Sequence, residues 1–309
     1  MVDGYSQAPQ RRSFRSMAHM EAVAQYRAGL RELRARAPEL PLHRLLLRVL
    51  AWKACRIAHL SPVIRLHGRS RMRLDAKLHD HGINSAIFLY HEAYEPSVRC
   101  AIDRFVRPAE TCYDIGANFG LWSLRMAERA GEAGHVFAFE PIPECFRALA
   151  ENAKLSGLHN IDVLPCALAA SSGPSTIFMP SDLGRSALAR ESADDVAIQV
   201  AVRTLDDVWD SQGQPPVSFV KMDVEGAEPL VLRGGQRFFA TLRPVVCCEI
   251  NPGKLQAMNF SSDDVLNVFA SLGYKGLAWS EHSRDLVPYV AQAKPDDILD
   301  LVFIPDEVR

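Results

Sequence analysis

From about Arg73 onward, short apolar runs alternate with stretches whose apolar residues recur every three or four positions. That pattern predicts strand, helix, strand, helix, and hence a mostly parallel sheet covered by helices on both faces. The seven sheet strands fall at Thr111 to Asp114, His135 to Glu140, Ile161 to Cys166, Val217 to Asp223, Val245 to Ile250, Gly276 to Trp279 and Leu299 to Ile304. Helices are expected from Phe119 to Ala130, Pro143 to about Gly157, Ala227 to Ala240 and Ser262 to Leu272. Two further β segments, Thr176 to Met179 and Val196 to Val202, bracket a Gly- and Ser-bearing loop. In that loop Arg185 is either a contact for an acidic or phosphate group or a plain surface charge.

Ahead of Arg73 the pattern changes. Helices are expected from Glu21 to Arg36 and from Leu42 to Ala58, punctuated by Pro38, Pro41 and Pro62. The second is apolar over more than half its circumference, so it packs on the main domain or on a second subunit, or else lies on a membrane surface. Charge divides at the same place: residues 1–73 hold fifteen Lys and Arg against four Asp and Glu, and the remainder holds twenty against thirty-three. The expected organisation is a basic helical extension, 1–73, and one large α/β domain, 74–309. The extension lacks the interleaved aromatics of a base-stacking surface, which argues against a nucleic-acid partner. Its helices make a homo-oligomer possible.

A chain of 309 residues with 48% apolar composition can bury a full core. Its seven cysteines are dispersed and form no C-x-x-C pair, which suggests reduced, core-filling thiols. No apolar stretch reaches about 18 residues without a charge, and no signal-peptide pattern opens the chain, so a cytoplasmic protein without a transmembrane segment is expected.

The first chemistry-bearing segment is CYDIGANFG, which joins a strand to a helix, where a doubly wound sheet binds nucleotides. Gly116 permits a sharp turn and Gly120 a close approach of the helix to a ligand. Glu140 ends the next strand, 26 residues after Asp114. The pattern lacks the full G-x-G-x-x-G of a pyrophosphate cradle, and Asp114 would repel a pyrophosphate. It suits the cationic amino-acid end of S-adenosylmethionine, with Glu140 accepting from the ribose hydroxyls. The expected cofactor site comprises Asp114, Gly116, Ala117, Asn118, Gly120, Glu140, Pro141 and Ala167.

The second segment is KMDVEGAE, Lys221 to Glu228. Asp223 ends its strand at the edge of the sheet where chemistry is expected, Glu225 follows on the turn, and Glu228 caps the next helix. Asp223 is the leading general base, with Glu225 and His91 behind it, and Lys221 shares its strand face and can stabilise an alkoxide. Asp223, Glu249 and Asn251 make a possible oxygen set for Mg²⁺; the alternative is a metal-free site in which the acids bind substrate directly. His91, Glu92, Tyr94 and Glu95 are placed as a lid. His79-Asp80-His81 is read as a solvated loop.

CYDIGANFGLWSL, VFAFEP, NIDVLPCALA, VRTLDDV, FVKMDVEGAEPLVLRGG and RPVVCCEIN together resemble the FkbM-type methyltransferases, over about Ala86 to Asn251. The resemblance implies a class I, Rossmann-like methyltransferase fold with a seven-stranded sheet. It also implies S-adenosylmethionine-dependent methylation of hydroxyls on sugars, glycans or secondary metabolites. The competing readings are a nicotinamide-dependent oxidoreductase on the same sheet and a non-catalytic binding protein that kept the fold.

Overall fold

The computed structural model describes residues 40–76, 83–179, 196–290 and 297–307. Helix α1 (Leu42–Ile57) leads into a hairpin of β1 (Val63–Arg65) and β2 (Arg71–Arg73), then α2 (Ile83–Tyr90), a 3₁₀ turn at His91–Ala93, and α3 (Pro96–Phe105). The α/β repeat follows as β3 (Thr111–Ile115), α4 (Leu121–Ala130), β4 (His135–Phe139), α5 (Pro143–Leu155) and β5 (Ile161–Leu164). Next come β6 (Cys166–Leu168), β7 (Gly173–Met179), β8 (Val196–Arg203), α6 (Leu205–Ser211), β9 (Val217–Met222), α7 (Glu228–Gly234) and α8 (Gln236–Leu242). The chain closes with β10 (Val245–Ile250), α9 (Pro252–Ala257), α10 (Ser262–Ser271), β11 (Tyr274–Ser280), β12 (Asp285–Pro288) and β13 (Leu299–Pro305).

The main sheet has the order β12-β11-β13-β10-β9-β3-β4-β5. Strands β10, β9, β3, β4 and β5 run parallel, and β13 enters antiparallel between β10 and β11. This is the Rossmann-like methyltransferase order of seven strands, with β12 added as an eighth at the edge. Apolar residues fill both faces. One face packs Tyr113, Val220, Met222, Val246 and Cys248 against Trp209, Val231, Phe238 and Phe269. The other packs Cys112, Phe219, Cys247 and Val302 against Val98 and Ile102 of α3 and Leu124 and Ala127 of α4. Burial on both faces is what turns these strands into near-continuous apolar runs.

The structure departs from the pattern in several places, and β1, β2 and β12 are strands that it did not predict. The expected strand Ile161 to Cys166 is two: Pro165 ends β5, and β6 joins β8 and β7 in a separate three-stranded sheet. The expected helix Ala227 to Ala240 breaks at Gly234 and Gly235, where the backbone presses on the carbonyl of Ala169. Helices α2, α3, α6 and α9 were not expected. In α6, the TLDD motif has a local purpose, because Thr204 caps the helix by accepting from the Asp207 N–H at 3.1 Å.

All seven cysteines are free thiols, five of them buried. No helix among the described residues is long and apolar enough to cross a membrane. The hairpin of β1 and β2 is fastened to the α/β domain: Ile64, Met72 and Leu74 share a cluster with Phe119, Ile142 and Cys145. The expected helix from Glu21 to Arg36, the 181–186 loop with Arg185, and His79-Asp80-His81 lie outside the described residues.

Candidate active site

The strand register builds the site. Asp114 pairs with Lys221 across β3 and β9, Lys221 with Cys247 across β9 and β10, and Glu249 with Asp300 across β10 and β13. Residues in register share a face, and so do residues two apart. Asp114, Lys221, Asp223 and Glu249, at the carboxyl ends of the parallel strands, and Asp300, at the amino end of the antiparallel β13, therefore gather on one face at one edge of the sheet. Above that edge lies a cavity of about 450 Å³, lined by Gly116, Ala117, Asn118, Glu140, Pro141, Ala167, Lys221, Asp223, Glu225, Glu249 and Asn251 among others.

At the turn after β3, the Gly116 and Ala117 N–H groups both donate to the Phe139 carbonyl at 3.0 Å. Gly116 has φ 81°, and a Cβ placed there would stand 1.8 Å from the Asp223 carbonyl oxygen. Only glycine satisfies that turn and that approach together. Asn118 and Ile142 donate their N–H groups to the two Glu140 oxygens at 2.7 and 2.8 Å, which locks the carboxylate in orientation. Burial pushes the Glu140 carboxyl up to about 7 against those two bonds. Asp114 is fully buried and accepts from Ser123 Oγ at 2.5 Å on one oxygen. Burial raises its pKa, opposed by Lys221 and the Ser123 bond. Its other oxygen, Oδ1, and the amide oxygen of Asn118 are buried with no hydrogen-bond partner in the chain. Orphaned acceptors at a glycine turn fit a polar, donor-bearing ligand.

Gly120 does not reach the cavity wall. The space over it belongs to Leu149, whose Cγ would be 2.7 Å from an added Cβ, so this glycine seats α4 against α5 and not against a cofactor.

Lys221 sits at the centre of the charged row. Its buried Nζ lies 3.2 Å from Asp223 Oδ2 and 4.0 Å from Asp114 Oδ1. Burial opposes its charge, but Asp223, Asp114 and Glu95 outweigh burial and hold its pKa above the usual lysine value. On the far side Glu225 has φ 54° and lies 3.5 Å from Lys254 Nζ. Burial, then the charges of Asp223 and Glu225, push the Glu249 carboxyl up to about 10. Glu228 points away from the chemistry: it is buried and accepts from the Val224 and Gly226 N–H groups at 3.2 and 3.3 Å, closing the turn.

The oxygen set drawn for Mg²⁺ does not assemble. Asp223, Glu249 and Asn251 all line the cavity, but the Asn251 amide oxygen caps α9 by accepting from the Lys254 N–H at 3.3 Å, and Asp223 pairs with Lys221. Among the described residues no group of three or more His, Cys, Asp or Glu is placed to hold a metal.

The segment after α2 contributes two residues to the cavity wall. Tyr94 and Glu95 line the cavity; the Tyr94 ring stacks on Trp122 at 6.5 Å, and Glu95 accepts from Trp122 Nε1 at 2.7 Å. Burial and then Asp300 push the Glu95 carboxyl up to about 7. His91 is not in the wall; its ring stands edge-on to Phe88 at 6.3 Å. Sequence reasoning missed Asp300, which accepts from Ser97 Oγ at 2.5 Å, and Trp122. The signal for Asp300 was an acid inside an otherwise apolar strand, LDLVFIP.

Residues 114–275, just over half of the chain, match the family model described as the methyltransferase FkbM domain. The chain belongs to the FkbM methyltransferase family. Among its relatives in that family, methyltransferase sdnD of Sordaria araneosa is 34% identical over 153 residues, covering 39% of this chain and 58% of its own length. The 31-O-demethyl-FK506 methyltransferase FkbM of Streptomyces tacrolimicus is 30% identical over 185 residues, covering 48% of this chain and 68% of its own. The crystal structure of methyltransferase FkbM from Methylobacillus flagellatus is 19% identical, with a TM-score of 0.40, and covers 71% of this chain and 53% of that one. The match thus spans a little over half of the first relative's length and about two thirds of the second's.

Proposed function

We propose that this FkbM-family chain is an S-adenosylmethionine-dependent O-methyltransferase acting on a hydroxyl of a sugar, glycan or secondary metabolite. One observation carries the reading: a single cavity joins the Gly116–Asn118 turn and Glu140 to the Lys221–Asp223 pair, across adjacent strand ends. Asp114, Asn118 and Glu140 would hold the cofactor, with Gly116, Ala117, Pro141 and Ala167 forming the wall around it. When bound, S-adenosylmethionine supplies an electrophilic methyl group on a sulfonium. Glu140 keeps lone pairs free on both oxygens while its two backbone bonds fix their direction, so it orients ribose hydroxyls. Asn118 offers its unpartnered amide oxygen to an ammonium, and Asp114, buried behind it and 4.0 Å from Lys221, adds negative charge on that side.

On the acceptor side, Asp223 takes the hydroxyl proton. Lys221 holds that carboxylate in place and stabilises the alkoxide character that develops on the acceptor oxygen. Glu95, Glu225 and Glu249 face the same space and bind neighbouring hydroxyls, with Glu249 protonated and therefore a donor at neutral pH. Residues 74–309 form the catalytic domain in this reading, and 1–73 the extension.

The curated relatives named for their acceptors include a hexuronic acid methyltransferase, AglP of Haloferax volcanii, 31% identical over 127 residues. It covers 40% of this chain and 49% of its own length. That name and the FK506 one motivate a panel of uronic acids, neutral sugars and polyketide hydroxyls. Mass spectrometry of the panel incubated with methyl-labelled cofactor should show a labelled methyl ether on one class, and a methyl ester alone would contradict the hydroxyl acceptor. Thermal stabilisation by NAD and none by S-adenosylhomocysteine would overturn the cofactor assignment.

A further inference from the structure

Six of the nine large apolar side chains that stand exposed among the described residues fall between Leu42 and Val63. On α1 they form a stripe. Leu47, Leu50, Ala54 and Ile57 recur at intervals of three, four and three, which places them on one helix face. Leu47 and Leu50 are each 62% exposed and Ile57 is 82% exposed. The opposite face holds the helix to the protein: Leu45 packs with Tyr90, Trp52 lies 5.0 Å from Phe88, and Arg48 Nη1 donates to the Leu89 carbonyl at 2.8 Å. Helix α1 is thus apolar on two faces, and among the described residues nothing covers its outer one.

The flanks of that stripe indicate what covers it. Arg44 and Lys53, both exposed, border it on its two sides. Between Leu40 and Leu74 the chain carries eight Lys and Arg and no Asp or Glu. A second copy of α1 laid stripe to stripe would set these basic rows against each other with no acid in the segment to pair them. Residues 1–39 carry seven Lys and Arg against four Asp and Glu, so they bring the same repulsion. An apolar stripe edged by cations matches a lipid surface, where the leucines enter the acyl boundary and the cations meet anionic headgroups.

We propose that α1 docks the protein on an anionic membrane surface, with Leu47, Leu50 and Ile57 inserted and Arg44 and Lys53 at headgroup level. The docked helix is one layer from the cavity. Its inner face packs on α2, and Ile83, Ala86, Ile87, Leu89 and Tyr90 of α2 line that cavity. A membrane held by α1 therefore lies two helix layers from the cavity, with α1 and α2 between them. The proposal does not depend on the cofactor assignment.

Flotation of the full chain with phospholipid vesicles tests it. Binding is expected to vesicles that mix phosphatidylcholine with phosphatidylglycerol, to weaken as salt is raised, and to be slight on phosphatidylcholine alone. The double substitution Leu50→Glu, Ile57→Glu should lower partitioning by roughly tenfold or more. Both sites are exposed, so an unchanged circular dichroism spectrum and melting temperature accompany that loss. Arg44→Gln with Lys53→Gln should reduce the binding and its salt dependence together. Undiminished binding by the Leu50→Glu, Ile57→Glu variant overturns the proposal. So does absence of binding to the anionic vesicles, whether the protein is then a monomer or a dimer that Leu50→Glu dissociates.

Discussion

The ammonium of Lys221 stands 3.2 Å from the Asp223 carboxylate, two residues along the same strand end, and 4.0 Å from the fully buried carboxylate of Asp114. One cation thus serves two acids that belong to different halves of the site. Its loss leaves both uncompensated.

Lys221→Met should therefore destabilise the fold by about 3–5 kcal/mol, the range for breaking a buried ion pair from one side. Adding Asp114→Asn should recover part of that loss, because one stranded carboxylate is gone. Urea denaturation of the two variants measures both; additive losses would contradict the shared role.

Asp223→Asn should lower the rate of methyl transfer by about a hundredfold or more, the usual contribution of a positioned base. Its affinity for S-adenosylhomocysteine should change little. Glu140→Ala should do the opposite, weakening that affinity by about 1.5–3 kcal/mol for a lost charge-assisted bond. Isothermal titration alongside a turnover assay separates the two effects.

Glu140 and Glu228 are both raised from 4.5 to about 7 in the folded chain. A raised carboxyl binds its proton more tightly when folded, so its stabilising contribution is complete below about pH 4.5 and is lost as pH climbs through about 7. The slope is at most roughly 1.4 kcal/mol per pH unit for each group. The melting temperature of the ligand-free protein should consequently fall from pH 5 to pH 8. Glu140→Gln should flatten that fall; an unchanged slope would show that Glu140 is ionised throughout.

Gly116→Ala should abolish the folded turn, since no rearrangement short of parting β3 from β9 removes a 1.8 Å contact with backbone. Gly131→Ala is the control. It has φ 68° but nothing within 4 Å of the added carbon, so its cost should stay near the left-handed strain alone, about 1–2 kcal/mol. Comparable losses in both would mean that the approach to Asp223 is soft.

The α/β order was legible in the sequence because parallel strands buried on both faces read as short apolar runs, and β10 was placed to the residue. Asp114, Glu140, Lys221 and Asp223 were legible for a related reason: each is a charge at the end of such a run. The cavity's covering elements were not. Helix α2, INSAIFLY, is too short and too uniformly apolar to show a period, and Glu95 and Asp300 meet only through register and packing. Gly120 looked like chemistry because it sits beside it, yet it is spent on local packing.

The contact between Gly116 and the backbone of Asp223 has a further consequence. In the proposed function the donor side of the site hangs from β3 and the acceptor side from β9, and the two strand ends are tied by the Asp223 N–H to the Ile115 carbonyl at 3.0 Å. Their spacing is therefore a property of the sheet, insensitive to the helices and loops above it. Those covering pieces are free to diverge and to take new acceptors without detuning the distance over which the methyl group moves. A lineage with this core can change what it modifies by editing its surface alone.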